Sequence, residues 1–437
     1  MSAAAIPGQM SEVGASTIRK LSWRLLPLIG LGYAAAYVDR VNISFAAAQM
    51  NRDLHFSASI YGLGAGLFFL SYSLCEIPSN LLLVRFGAKR WLARIMLTWG
   101  LLAMGMMFVR TPIQFYVMRF LLGVAEAGFF PGVVFYLTEW FPPEQRARAI
   151  SRFYIALPLS STIMGALAGS LLGLNGRFSL AGWQWLFLVE GVPPVLLSVF
   201  FLLYLPDSPE DATWLKGEER SWLQARLADA AAETRASTHT LADVKAVLAD
   251  PRVWLITAFY FCQVMGLYGW TFSAPLILQG LTGWTMGSVG WLIAGIGLLG
   301  AVAMLLNARH SDHARERFLH ILVPFVAMTI GFMLGSVTHQ PLIAIPALAV
   351  TVMAFNAAQG PVLAIPSSYF SGRTSAIGYA TINSIGMIGG FVGPYWMGRA
   401  RDLTGDYQHG LLTLAVPSAL AVLFIFMLRR RARLLSI

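Results

Sequence analysis

Apolar runs of about twenty residues or more alternate along the whole chain with short polar connections, most of them basic. A run of that length is what a helix needs to cross a bilayer. The pattern predicts twelve spanning helices, at about 23–48, 58–83, 92–109, 113–140, 151–174, 183–205, 253–279, 287–308, 319–337, 341–366, 374–397 and 410–428. A single long polar stretch, 206–252, separates six spans from six; its Ala-rich part (218–232) has a helical pattern. The expected organisation is a cytoplasmic tail (1–22), a six-helix bundle (23–205), a cytoplasmic linker (206–252), a second six-helix bundle (253–428) and a short tail (429–437).

Composition agrees: 57% of the 437 residues are hydrophobic, 12% are charged, and mean hydropathy is +0.64, which excludes an ordinary soluble globular protein. A net charge of +10 raises the question of nucleic acid, but the basic residues lie in short clusters between apolar runs. Of 31 Lys and Arg, the even-numbered connections and the tails hold 24, the opposite side holds five and the spans hold two. That asymmetry predicts a multi-pass protein of the inner (plasma) membrane with both termini in the cytoplasm. The first apolar run is too long for a signal-peptide core and lacks a cleavage site, so it is expected to remain as the first span.

The fourth run, 113–140, is the most informative. It carries Arg119 and Glu126 well inside, seven residues apart and so on one face of a helix. A charge at that depth costs at least about 2.5–3.5 kcal/mol, so both are expected to face a polar interior. Gly123, Ala125, Ala127 and Gly128 keep the girth small for close helix packing. After Phe141-Pro142-Pro143, the residues Glu144, Arg146 and Arg148 read as a charged loop. The two halves echo each other weakly: the basic connection 85–90 after span two has a counterpart at 311–317 after span eight. That suggests an internal duplication with a central site between the halves.

Several segments together resemble the major facilitator superfamily and, within it, the anion:cation symporter family. They are Tyr37-Val-Asp39-Arg40-Val-Asn42, Glu76-Ile-Pro78-Ser-Asn80, and Arg119 through Glu126 to Pro131. Gly182-Trp-Gln-Trp-Leu-Phe187 with Glu190-Gly-Val-Pro193, and Asn383-Ser-Ile-Gly386 through Pro394, complete the match over nearly all the spans. The resemblance implies an all-α membrane protein with twelve helices in two pseudo-symmetric bundles. It also implies alternating access and proton-driven uptake of an organic acid such as galactonate, tartrate, phthalate or hydroxyphenylacetate. One departure is visible: Asn80 and Val84 stand where the superfamily's loop after span two has Gly and Asp, whereas Asp312 keeps the acid in the second half.

Intramembrane charge is confined to the first half: Asp39, Arg40, Glu76, Arg119, Glu126 and Glu190. The second half offers neutral groups instead: Gln263, Tyr268, Trp270, Asn356, Gln359, Ser367, Ser368, Tyr369 and Asn383. Asp39 and Glu126 are the candidate proton-coupling groups, since burial favours a neutral acid and a nearby arginine an ionised one. The alternative for them is a static ion pair between spans one and four. Arg40 and Arg119 offer a fork of donors matched to a carboxylate. With Tyr37, Tyr72, Gln263, Tyr268 and Asn383 they form the expected substrate-binding set. Glu76 reads equally as a third protonatable group or a structural partner, and Glu190 as a packing or capping acid.

Other motifs carry less. Gly295, Gly297 and Gly300 match a dinucleotide fingerprint, but mid-span and without a preceding strand they read as helix packing. His310 and His313 lack the ligands and context of a zinc site, and Cys75 and Cys262 read as buried structural residues. No nucleophile–base pair or phosphate loop points to an enzyme, and no cofactor is expected. Span five, with Leu157-Pro158 and Gly165, lacks the Gly-Pro pair usual in exporters of this superfamily, so an antiporter or efflux carrier is the second reading. A membrane sensor signalling through 206–252 is a third. The expected partners are a small-molecule organic anion, protons and the lipid bilayer, without nucleic acid, for a chain acting as a monomer. Two interior arginines and several tyrosines favour an anion with hydroxyl or aromatic character.

Overall fold

The computed structural model describes residues 12–154, 156–235, 241–369 and 373–435, and the regular structure among them is helical throughout. The first half contains α1 (Glu12–Asp53), α2 (Ala58–Phe86), α3 (Ala88–Gly105), α4 (Pro112–Glu126), α5 (Phe129–Trp140), α6 (Pro143–Tyr154), α7 (Ala156–Leu172) and α8 (Gly182–Tyr204). The connection carries α9 (Gly217–Arg235) and α10 (Leu241–Ala249). The second half contains α11 (Pro251–Thr282), α12 (Met286–Ala314), α13 (Leu319–Val337), α14 (Pro341–Tyr369), α15 (Arg373–Gly386), α16 (Gly389–Thr404) and α17 (Gln408–Leu435).

Local chemistry sets where these helices start and stop. Thr111 caps α4 in a capping box with Gln114, with Pro112 at the first helical position. Asp250 accepts the Arg252 N–H at 2.8 Å ahead of Pro251, and Gly283 and Gly405 end α11 and α16 in the left-handed region. Large apolar side chains such as Leu81, Leu203, Trp291, Leu298 and Leu342 stand exposed on the outside, while charged groups are buried within. That inversion is what a lipid surround demands.

Among the described residues, ten helices are long and apolar enough to cross a membrane. The other two expected crossings, 151–174 and 374–397, fall on α6–α7, whose apolar stretch is Thr162–Leu172, and on the pair α15 and α16. Three expectations need correction. The charged stretch after Pro143 is the helix α6 and not a loop, with proline at its first position, where the missing N–H costs nothing. Span four is not one helix: α4 ends at Glu126 and α5 begins at Phe129. Pro131 has no N–H for the Ala127 carbonyl and its ring crowds that carbonyl, so the ladder cannot run through. Span eleven likewise divides between Gly386 and Gly389.

Within the first half α2 packs on α4, α3 on α8, and α1 on α7 and α8; within the second, α13 packs on α14 and α17, and α11 on α16 and α17. The halves meet along α2–α16, α7–α12 and α1–α11. They meet most closely at the end away from both chain termini. A Cβ added at Gly398 would lie 2.1 Å from the Ala58 carbonyl oxygen, and one at Gly165 would lie 2.4 Å from that of Gly290. At the same end Asp402 of α16 accepts the first N–H groups of α2, from Ala58 at 3.0 Å and from Ser59 at 2.8 Å. At the other end, the connection is tied to the first half: Lys20 and Ser16 of α1 donate to Glu219 of α9 at 2.7 and 2.9 Å.

Candidate functional site

Arg40 lies in the second half of α1, and its guanidinium reaches three other helices. It pairs with Glu126 at the end of α4, and Nη1 donates to the Tyr268 hydroxyl of α11 at 3.4 Å. Its plane lies over the rings of Phe68 and Tyr72 on α2, 5.4 and 5.3 Å from their centroids. Those faces carry the negative end of the ring quadrupole, which suits a cation with little water around it. Phe69 of α2 meets the Tyr268 ring at 4.1 Å, so the contact between the halves continues past the charge pair.

The break between α4 and α5 is what sets Glu126 at a helix end in mid-membrane. Gly128 follows with φ +87°, and a Cβ there would lie 2.4 Å from the Ser79 hydroxyl oxygen, so this position needs glycine on two counts. Glu126 Oε2 and Arg40 Nε have no hydrogen-bond partner among the described residues. Buried polar groups are nearly always matched, so a donor and an acceptor remain here for a polar solute.

A second layer lies deeper in the first half. Arg119 is buried, with Nε on the Gly64 carbonyl at 3.3 Å and Nη2 on that of Ala65 at 3.4 Å; Phe68 lies beneath it at 5.0 Å. It reaches that backbone because α4 rests directly on α2: a Cβ at Gly123 would fall 2.2 Å from the Phe68 carbonyl oxygen. Arg119 and Glu126 share a helical face but do not pair, because Glu126 is taken by Arg40. Asp39 points away from the Arg40 contact, into this layer. Asn42 donates to it at 3.3 Å, Trp99 lies beside it, and Arg119 is the cation whose field it feels. Glu190 of α8 is buried next to Asn42 and Asp39, with no hydrogen-bond partner for either oxygen among the described residues, and its place inside α8 means that it does not cap that helix.

Of the nine residues singled out from sequence, Arg40, Glu126, Tyr72 and Tyr268 converge. Tyr37 is half-buried on α1, three residues before Arg40, and Gln263 is buried on α11, five residues before Tyr268. Asn383 is engaged: its Nδ2 donates to both oxygens of Glu76 at 2.8 and 2.9 Å, across the halves. Asn356 spends its amide on the Val352 carbonyl of its own helix at 2.9 Å. The side chains of Ser367, Ser368 and Tyr369 lie outside the described residues. Sequence reasoning missed Phe68, which lies under both arginines. Its spacing of four from Tyr72, one helical turn, was the available signal.

The helical, multi-pass architecture is that of an integral membrane protein, and its family and relatives make it a transporter and not an enzyme. The chain belongs to the Major Facilitator Superfamily, whose family profile matches residues 29–394. A putative tartrate transporter of Agrobacterium vitis is 42% identical over 405 residues, covering 93% of this chain and 89% of the relative. A quinolone resistance transporter of Acinetobacter baumannii is 37% identical over 399 residues, covering 91% and 92%. Among solved structures, a bacterial homologue of the human lysosomal transporter Spinster, in an inward-facing and unoccupied conformation, aligns with a TM-score of 0.75 at 17% identity, covering 97% and 98% of the two chains.

Proposed function

We propose that this protein takes up an organic carboxylate together with protons, by alternating access, across the inner membrane with both termini in the cytoplasm. The observation that carries the reading is the Arg40–Glu126 pair at the meeting of the halves, touching Tyr268 from the other side. A substrate carboxylate that engages the Arg40 fork competes with Glu126 for it. Freed of its cation in a low-dielectric site, Glu126 takes a proton. Anion and proton then favour each other's binding, a reciprocal coupling of about 1–3 kcal/mol in typical cases. Asp39 in the field of Arg119 is the second coupling group. Tyr37, Tyr72, Gln263 and Tyr268 supply hydrogen bonds to the hydroxyl groups of a sugar acid or tartrate-like hydroxy acid. The tartrate name among the relatives agrees with this class. The close packing at the end away from the termini corresponds to a state closed outside.

The test is uptake of radiolabelled tartrate, galactonate, phthalate and hydroxyphenylacetate into proteoliposomes, with and without an inward proton gradient. Accumulation of one of these acids only when the outside is acid supports symport. A second reading, proton antiport, is favoured by the relative named for quinolone resistance. It predicts the opposite: an outside-acid gradient expels the solute.

A further inference from the structure

Glu76 has no part in the coupling scheme above, yet both of its oxygens take part in a polar contact between the halves. It lies on α2, largely buried, and among the described residues no lysine or arginine pairs with it directly; the cation acting on it is Arg40, which Glu126 already holds. Both of its oxygens accept from the Asn383 amide of α15. Around it, the Tyr260 hydroxyl of α11 contacts Asn383 Oδ1 at 3.4 Å, and Ser73 of α2 donates to the Ser384 carbonyl at 2.6 Å. Tyr72, four residues before Glu76, lies under Arg40, so one stretch of α2 carries both the ring beneath the arginine and the second carboxylate. A carboxylate on a neutral amide makes charge-assisted hydrogen bonds, the arrangement an acidic solute itself would adopt.

We propose that Glu76 is a tethered stand-in for one oxygen-rich end of the substrate. In the substrate-free protein, Glu126 occupies the Arg40 recognition group and Glu76 occupies that of Asn383. A solute with a carboxylate at one end and a second carboxylate or hydroxyl-bearing end takes both places. This deepens the organic-acid reading and rests on it: the substrate is a dicarboxylate or polyhydroxy acid, and Glu76 sets its apparent affinity by competition. A stand-in that holds the amide about four-fifths of the time makes the apparent Kd about five times the intrinsic one.

The test is equilibrium binding of tartrate, and of benzoate as a one-ended acid, to the purified full-length protein and its variants. Glu76→Ala is expected to tighten tartrate binding about five-fold and to leave benzoate unchanged. Asn383→Ala is expected to weaken tartrate, and the double variant to match Asn383→Ala alone. Glu76→Gln keeps a similar shape with a weaker acceptor and gives a smaller gain, which serves if the alanine variant does not remain monodisperse. Unchanged or weakened tartrate binding in the Glu76 variants overturns the proposal, as does an equal change for tartrate and benzoate, which marks a merely structural contact. If the unaltered protein binds neither of these acids nor galactonate, phthalate or hydroxyphenylacetate, the organic-acid reading fails and this inference falls with it.

Discussion

Arg119 makes plain why an arginine and not another cation is needed at its position. Its fork spans two consecutive carbonyls of α2 while the guanidinium lies against Phe68. Both carbonyls already accept the N–H of their own helix, so what an ammonium gives up is the second charge-assisted bond and the flat contact with the ring. Arg119→Lys is therefore expected to lower the melting temperature of the purified protein and abolish uptake although the charge is kept. Near-normal uptake would remove Arg119 from any role in positioning α2 or Asp39. At this scale the sequence was informative about which residues matter and poor about who touches whom. Arg119 and Glu126 share a face seven residues apart, and helical spacing alone leaves open whether they meet. The partner of Glu126 comes from α1, and the partner of Asn383 from the other half. Such long-range pairings depend on helix packing, which no local pattern encodes.

Helix ends and breaks decide how the elements behave. The apolar pattern located the spans because lipid imposes a length and a composition on each. It missed the break in span four, although Gly128 and Pro131 were its local signals, because an apolar run reads the same whether or not its hydrogen-bond ladder is continuous. The contact of Asp402 with the start of α2 was equally hidden, since 343 residues separate Asp402 from Ser59. Partial burial works against the ionised carboxyl of Asp402. The hydrogen bonds from Ser59, Ser57 and Ala58 outweigh it, so the group is held below its ordinary value. A depressed value means that the stabilisation is fully present above the unfolded carboxyl's pKa of about 3.9 and is lost only as pH falls through the lower folded one. The contact therefore holds throughout the physiological range. Asp402→Asn is expected to remove about 0.3–1 kcal/mol of helix-end stabilisation and to loosen the seal there. The measurement is maleimide labelling of Ile60→Cys in a background where Cys75 and Cys262 are serine. Labelling several-fold faster than in the Asp402 parent is expected; equal rates would mean that the close packing of the glycines holds the seal unaided.

At the scale of the whole molecule, one half carries the intramembrane charge and the other meets it with neutral groups. That division was legible in the sequence, because charge inside a span is rare enough to read directly. It suits a carrier in which the halves move against each other around a fixed site. Arg40, from the charged half, touches Tyr268 of the neutral one, so the proposed motion of the halves would act on the pair directly. The central claim is that Glu126, by leaving Arg40 to a substrate carboxylate, couples the proton to the anion. Its most direct test is Glu126→Gln, with Asp39→Asn beside it, assayed for counterflow and for gradient-driven uptake of the same organic acid in the same vesicles. The glutamine mimics the protonated acid, so counterflow should persist while accumulation on a pH gradient disappears. A Glu126→Gln protein that still accumulates the acid on a pH gradient would contradict the account and place the coupling group elsewhere.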